Sequence, residues 1–371
     1  MKITFVLPMF LESPAGGFKV VYEYANRLQR RGHVVTVVHP RNIVSPSGLI
    51  DVAKRLVWAP RLRWRHRGSL IPWFPLEREV GIRLVTDLRE KFIPDGDVIV
   101  ATAFQTAFAV AGYDRRKGRG HYLIQSFENW MGDEKLVRAS WRLPLRKIVI
   151  SHWLERMVAE EGEAGRTTRI PIGLDLTQFR VTQPIESRHS ARIGMLAHPL
   201  AIKGTADGLA ALEIVRRDHP EIEVVLFGTE PRDRLIHDSA GWPEWIEYHQ
   251  RPTAEELVSL YNSCRIFLHP SRLEGWGLPA VEAMACGCAL VAAHNQGVDE
   301  FAIDGENALL APVGAPADLA ERIRWLLADD LRRQSLAGNG VAQAQRFDWE
   351  SSVTRFEEWL DRSEPIANGV L

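Results

Sequence analysis

An α/β chain of two Rossmann-like domains is what the sequence predicts, on three observations. At 371 residues the chain exceeds what one hydrophobic core usually holds. Short apolar runs of strand type alternate with helix-type segments through both halves. Between the halves lies a proline- and glycine-marked crossing, Ile170-Pro171-Ile172-Gly173-Leu174-Asp175.

Taken in order, the first half opens on a strand-type run from Ile3 to Leu7, a helix near Gly17 to Arg31 and a strand from His33 to Val38. Further strands are read at Val98 to Ala101, Tyr122 to Gln125 and Ile148 to Ser151. This grammar fits a parallel sheet covered by helices on both faces. The reading gives residues 1–170 as an N-terminal Rossmann-like domain and 171–345 as a C-terminal one. In the latter, strands are read at Arg192 to Leu196, Val224 to Phe227, Ile266 to His269 and Ala289 to Ala292. Residues 346–371 are expected to pack back on the N-terminal domain through a helix, Trp349 to Leu360, whose Val353, Phe356, Trp359 and Leu360 share one face.

Composition is that of an ordinary globular protein, 46% hydrophobic and 25% charged. No signal peptide and no apolar run long enough to cross a membrane is read, so a cytoplasmic protein is expected. Cys264, Cys286 and Cys288 form neither a disulfide framework nor a zinc pattern and read as buried thiols. Charge is uneven: residues 1–170 hold 28 Lys/Arg against 17 Asp/Glu, and the remainder 18 against 30. The N-terminal half is therefore expected to face something anionic, a phosphate-bearing acceptor or a membrane surface.

Residues 54–74 interleave seven basic residues, six Lys or Arg and His66, with Trp58, Trp64 and Trp73. Basic groups attract anionic headgroups and tryptophans settle at the interface, so peripheral contact with the inner face of the membrane is expected here. The alternative is a solvated basic loop whose tryptophans pack inward. No nucleic-acid recognition motif accompanies the stretch.

Two segments carry candidate chemistry. After the first strand, Gly16 and Gly17 allow a tight turn and close approach of a ligand at a helix N-terminus. They equally suit the turn alone, and the dinucleotide-binding G-x-G-x-x-G is absent. The informative segment is Ser271-Arg272-Leu273-Glu274-Gly275-Trp276-Gly277-Leu278-Pro279-Ala280-Val281-Glu282-Ala283-Met284-Ala285-Cys286-Gly287, directly after a strand. Pro279 suits a first helical turn and Gly287 a helix end. The free N–H groups around Gly277 and Leu278 and the positive end of the dipole would favour an anionic or polyhydroxyl ligand. Glu274 in the loop and Glu282 one turn inside the helix can accept hydrogen bonds from different parts of one extended ligand.

At these residues the chain resembles the retaining glycosyltransferases of family four, whose signature is E-G-F-G-L-P with a second glutamate before A-M-A-C-G. The resemblance extends to the crossing at Ile170 to Asp175, to Lys203-Gly204 and to Gly297-Val298-Asp299-Glu300. It is similar in particular to bacterial rhamnosyltransferases of cell-surface polysaccharide assembly. The resemblance implies a GT-B fold, two Rossmann-like domains facing a central cleft, with a nucleotide-diphosphate sugar as co-substrate held mainly by the C-terminal domain. It implies that Glu282 binds the ribose. It implies that Glu274, with the loop amides of Gly275, Trp276, Gly277 and Leu278, holds the donor sugar and its phosphates, and that Lys203 neutralises the diphosphate leaving group. A departing diphosphate develops charge that an ammonium and helix-terminal N–H groups stabilise, so no cofactor and no metal is expected. Asp95-Gly96-Asp97, the D-x-D of a different manganese-dependent architecture, is explained better by turn chemistry.

The chain also departs from the family. Met195 follows Gly194 where most members place an arginine, leaving His198 as a substitute phosphate donor or as a structural residue. The histidine common after the fourth N-terminal strand is replaced by Ala101-Thr102-Ala103-Phe104-Gln105. On the acceptor side, Gln105 and Glu128 are candidates, Glu128 lying in Gln125-Ser126-Phe127-Glu128-Asn129-Trp130. That loop reads equally as a capping turn. The reading is an enzyme transferring a hexose or deoxyhexose to a glycan or lipid-linked acceptor. A phosphorylase on the same fold, or a non-catalytic nucleotide- or glycan-binding protein, stays open.

Overall fold

The computed structural model describes residues 1–43, 58, 60–62, 69–130, 132–188, 191–235 and 243–362. The chain divides into two compact units. Unit 1 is Met1–Ile172 with the chain from Glu350 onward, and unit 2 is Gly173–Trp349.

Among the described residues, unit 1 holds a seven-stranded sheet ordered β3-β2-β1-β4-β5-β6-β7. The strands are β1 Lys2–Val6, β2 Val34–Pro40, β3 Gly81–Val85, β4 Val98–Ala101, β5 Arg119–Ile124, β6 Arg146–Val149 and β7 Thr167–Arg169. Every pairing is parallel. Parallel strands need crossovers, supplied by helices α1 Gly16–Arg30, α2 Phe104–Ala111, α3 Glu134–Trp141 and α4 His152–Glu160. β1 and β4 are buried at nearly every position, as strands covered on both faces must be.

Unit 2 repeats the plan with six described strands ordered β10-β9-β8-β11-β12-β13, again all parallel. These are β8 Arg192–Leu196, β9 Glu223–Gly228, β10 Ile246–Gln250, β11 Ile266–His269, β12 Ala289–Ala293 and β13 Ala308–Ala311. Its helices are α5 Thr205–Asp218, α6 Ala254–Ser263, α7 Leu278–Ala285, α8 Pro316–Ala328 and α9 Asp330–Ala344. Ile193, Met195, Leu226, Leu268 and Val291 from the sheet pack with Leu212, Leu319 and Ile323 from the helices into one core.

Strand order reverses between β1 and β4 in unit 1 and between β8 and β11 in unit 2, so loops diverge there and leave room for a ligand at the carboxyl ends. A last helix, α10 Trp349–Asp361, carries Val353, Phe356 and Leu360 fully buried. Phe356 stacks on Tyr24, ring centroids 4.2 Å apart, and Arg31 pairs with Glu350 and Glu357 at 2.8 Å. The helix thereby rests on α1. The crossing at Gly173 is tight: a Cβ there would stand 2.5 Å from the Cα of Trp349, and Leu174 N donates to Phe347 O at 2.7 Å.

Candidate functional site

At the β8/β11 reversal two loops meet. Gly204 takes a left-handed φ of +65°, and a Cβ on it would lie 2.1 Å from Pro270 O, so only glycine lets the loop after β8 lie against the loop after β11. Arg272 N donates to Ile202 O at 2.7 Å and ties the same two loops. This seam brings Lys203 and Glu274 together.

Lys203 Nζ stands 2.8 Å from both carboxylate oxygens of Glu274, and the Ser271 hydroxyl donates to Oε1 at 2.7 Å. Burial alone would raise the Glu274 carboxyl. The charge of Lys203 and the hydrogen bonds from Lys203 and Ser271 act against it and contribute to holding the group below the usual carboxylate range. His269, fully buried on β11, has its Nε2 3.8 Å from Oε1, beyond hydrogen-bond reach. Burial pushes His269 down to about 4, so it stays neutral beside the pair.

Gly277 caps α7 with φ +107°, a conformation the glycine makes accessible. Ala280 N donates to Gly277 O at 3.0 Å, while the N–H groups of Gly277 and Leu278 have no partner among the described residues, and Pro279 has none to offer. Gly275 lies in the same buried loop. Trp276 is different: its ring is buried and packs on Phe301 and, edge-on at 5.2 Å, on Phe347. Only its backbone is available to a ligand, because the indole belongs to the loop's own support. Glu282 is buried one turn into α7 and accepts from Tyr261 OH at 3.2 Å.

Backing residues that the sequence reading missed hold this loop. Asn295, after β12, donates from Nδ2 to Ser271 O at 3.0 Å and accepts Val298 N at Oδ1, 3.1 Å. Gly297 packs so closely that a Cβ would be 2.7 Å from the Glu274 Cβ. Asn295 and Tyr261 carry no local signal: each acts through a partner more than 20 residues away. His198 accepts Leu200 N at Nδ1, 3.1 Å, which leaves Nε2 as the protonated donor, and burial with the nearby Lys203 keeps it neutral.

The other predicted residues lie in unit 1. Gly16 and Gly17 open α1, with Gly17 O accepting from Gln125 Nε2 at 3.1 Å. Gln105 Oε1 and Gln125 Oε1 are buried without a partner among the described residues. Glu128 accepts Phe104 N at 2.8 Å, capping α2, and burial raises its carboxyl to about 7. Asp95 pairs with Lys117 at 2.6 Å and Asp97 accepts Lys2 N at 2.6 Å, so both carboxylates serve a turn at the amino end of the sheet. Among the described residues no cluster of three His, Cys, Asp or Glu side chains could hold a metal. The three cysteines are buried and free, and burial lifts Cys264 to about 11.

Most of the basic stretch at 54–74, including Lys54, Arg55, Trp64 and Arg65, lies outside the described residues. Of its other tryptophans, Trp58 meets Phe10 edge-on. Trp73 packs on Tyr22 and donates to Leu11 O at 3.2 Å. Both residues are half-buried and make these contacts within unit 1. No described helix is long and apolar enough to cross a membrane.

Residues 191–343 match the family profile described as glycosyl transferases group 1. Unit 2 carries a glycosyl transferases group 1 domain. An uncharacterised glycosyltransferase of Methanocaldococcus jannaschii is 39% identical over 108 residues, 29% of this chain and 31% of that protein. The D-inositol 3-phosphate glycosyltransferase of an Arthrobacter species is 29% identical over 199 residues, 49% of this chain and 47% of the relative. The matched region thus spans less than half the length of either curated relative. Among solved structures, Anabaena HepE in complex with UDP and glucose superposes with a TM-score of 0.72 at 18% identity, covering 97% of this chain and 99% of that one. With its two parallel-sheet α/β units, the chain has the GT-B fold.

Proposed function

We propose that this chain is a retaining, nucleotide-sugar-dependent glycosyltransferase that moves a hexose or deoxyhexose to a glycan or lipid-linked acceptor, in the synthesis of cell-surface polysaccharide or glycoconjugate. One observation carries the reading: an ion pair, Lys203–Glu274, stands beside the unpartnered N–H groups that open α7, at the strand reversal of unit 2. A fixed ammonium and helix-terminal N–H groups suit a departing diphosphate, and carboxylates suit sugar and ribose hydroxyls. In this reading Lys203 and the amides of Gly277 and Leu278 meet the diphosphate, with the neutral Nε2–H of His198 as a further donor. Glu274 meets the sugar and Glu282 the ribose. Unit 1 takes the acceptor, with Gln105 and Glu128 as candidate contacts. The group 1 domain and the UDP bound by HepE support a nucleotide-sugar donor.

The test is a metal-free calorimetric and thermal-shift screen of the full chain against UDP, GDP, dTDP and ADP and their common sugar conjugates. Stabilisation by one nucleotide, lost in Glu282→Ala, is the expected result. Binding of none of them, with turnover of a sugar 1-phosphate instead, would move the assignment to a phosphorylase.

A further inference from the structure

The Glu274 side chain is 10% exposed, while the Lys203 side chain that neutralises it is 26% exposed. The ammonium contacts both carboxylate oxygens, and the remaining hydrogen bond comes from Ser271. A buried carboxylate is costly once its counter-ion leaves. Among the described residues no second cation pairs with it, since His269 stands 3.8 Å away and is neutral.

We infer that Glu274 makes the resting site discriminate against a bare nucleoside diphosphate in favour of one that carries a sugar, because both the carboxylate and the diphosphate compete for Lys203. This rests on the reading above, in which Lys203 meets the phosphates and Glu274 the sugar. A diphosphate that draws Lys203 away strands Glu274. Sugar hydroxyls replace the lost donor, whereas a bare diphosphate offers none. The same competition expels the diphosphate product after transfer: once the sugar has left with the acceptor, Glu274 reclaims Lys203. The pair is therefore a specificity element for the charged donor over its spent form, set by two side chains 71 residues apart.

Calorimetric titration of the full chain with UDP, GDP, dTDP and ADP, and with the sugar conjugate of whichever binds, tests this. Glu274→Gln keeps the side-chain volume and an acceptor for Ser271 but removes the competing charge. It should tighten binding of the bare diphosphate by about tenfold and leave the sugar conjugate no tighter, so that wild-type preference for the conjugate collapses. Glu274→Asp, which withdraws the carboxylate by one methylene, should shift the ratio the same way by a smaller factor and serves if the glutamine variant fails to fold. Unchanged or weaker diphosphate binding in both variants, while Lys203→Met loses affinity, overturns the inference and leaves the donor-site reading standing. Diphosphate binding that Lys203→Met does not weaken removes the donor-site reading, and the inference falls with it.

Discussion

Replacing Glu128 by glutamine should stabilise unit 1 at alkaline pH and do almost nothing at acid pH. Burial raises this carboxyl from 4.5 to about 7, opposed only in part by the Phe104 N–H it accepts. Between those values the folded chain binds a proton that the unfolded chain has lost. Stability therefore falls as pH rises through that window, the reverse of a salt-bridged carboxylate. That rise corresponds to a ceiling of about 3.4 kcal/mol. Water reaching a half-buried side chain lowers that, and about 1–3 kcal/mol is the working range. Glutamine keeps an oxygen for Phe104 N, so the helix cap survives while the charge goes. For a unit of this size the gain amounts to a rise of about 3–9 °C in its transition at pH 8, with the two proteins nearly equal at pH 4.5. Differential scanning calorimetry of the full chain at both pH values measures it. Equal midpoints at pH 8, or a glutamine variant less stable there, would refute the burial argument.

Other outcomes follow from the geometry. Glu282→Ala removes a buried acceptor one turn into α7 and should weaken nucleotide binding about 10- to 100-fold by calorimetry, with the Tyr261 hydroxyl left unpaired. Gly204→Ala would place a Cβ 2.1 Å from Pro270 O at a φ of +65°, forcing apart the loops that hold Lys203 and Glu274. Turnover should fall more than tenfold and the midpoint of unit 2 should drop, both read on the purified variant. A chelator should leave turnover unchanged, because Asp95 and Asp97 are spent on Lys117 and the Lys2 amide. Loss of turnover on chelation that manganese restores would return those carboxylates to the reaction.

Central strands were readable because both faces are covered, which makes β4, β8 and β11 continuous apolar runs that match their sequence boundaries. Edge strands were not. β3 alternates exposed and half-buried residues, β7 has three half-buried residues, and β10 reads Ile-Glu-Tyr-His-Gln with one buried position. Their assignment comes from hydrogen bonding to a neighbour already in the sheet, a tertiary effect with no local apolar signature. α10 was legible for the opposite reason: its apolar face is spaced at the helical period, and Phe356 meets Tyr24 where that face predicts burial.

The same contrast separates the two candidate sites. In unit 2 the candidate groups are charged residues and glycines at a helix entrance, chemistry that a sequence displays openly. Even there the Trp276 ring belongs to the support of the loop, packed against Phe347, which leaves its backbone as the candidate contact. In unit 1 the candidate groups are Gln105, Gln125 and Glu128, residue types that are common on any surface. What distinguishes them is burial: two amide oxygens without partners and a carboxyl that keeps its proton near neutrality. None of the three properties belongs to the residue type; each is conferred by the strands and helices packed around it. The excess of basic residues before position 170 concerns the field around that half of the chain, whereas Gln105, Gln125 and Glu128 are distinguished by the local hydrogen bonding of buried oxygens. Net charge describes the field around a domain, and the hydrogen-bonding character of its concave end has to be read from the fold.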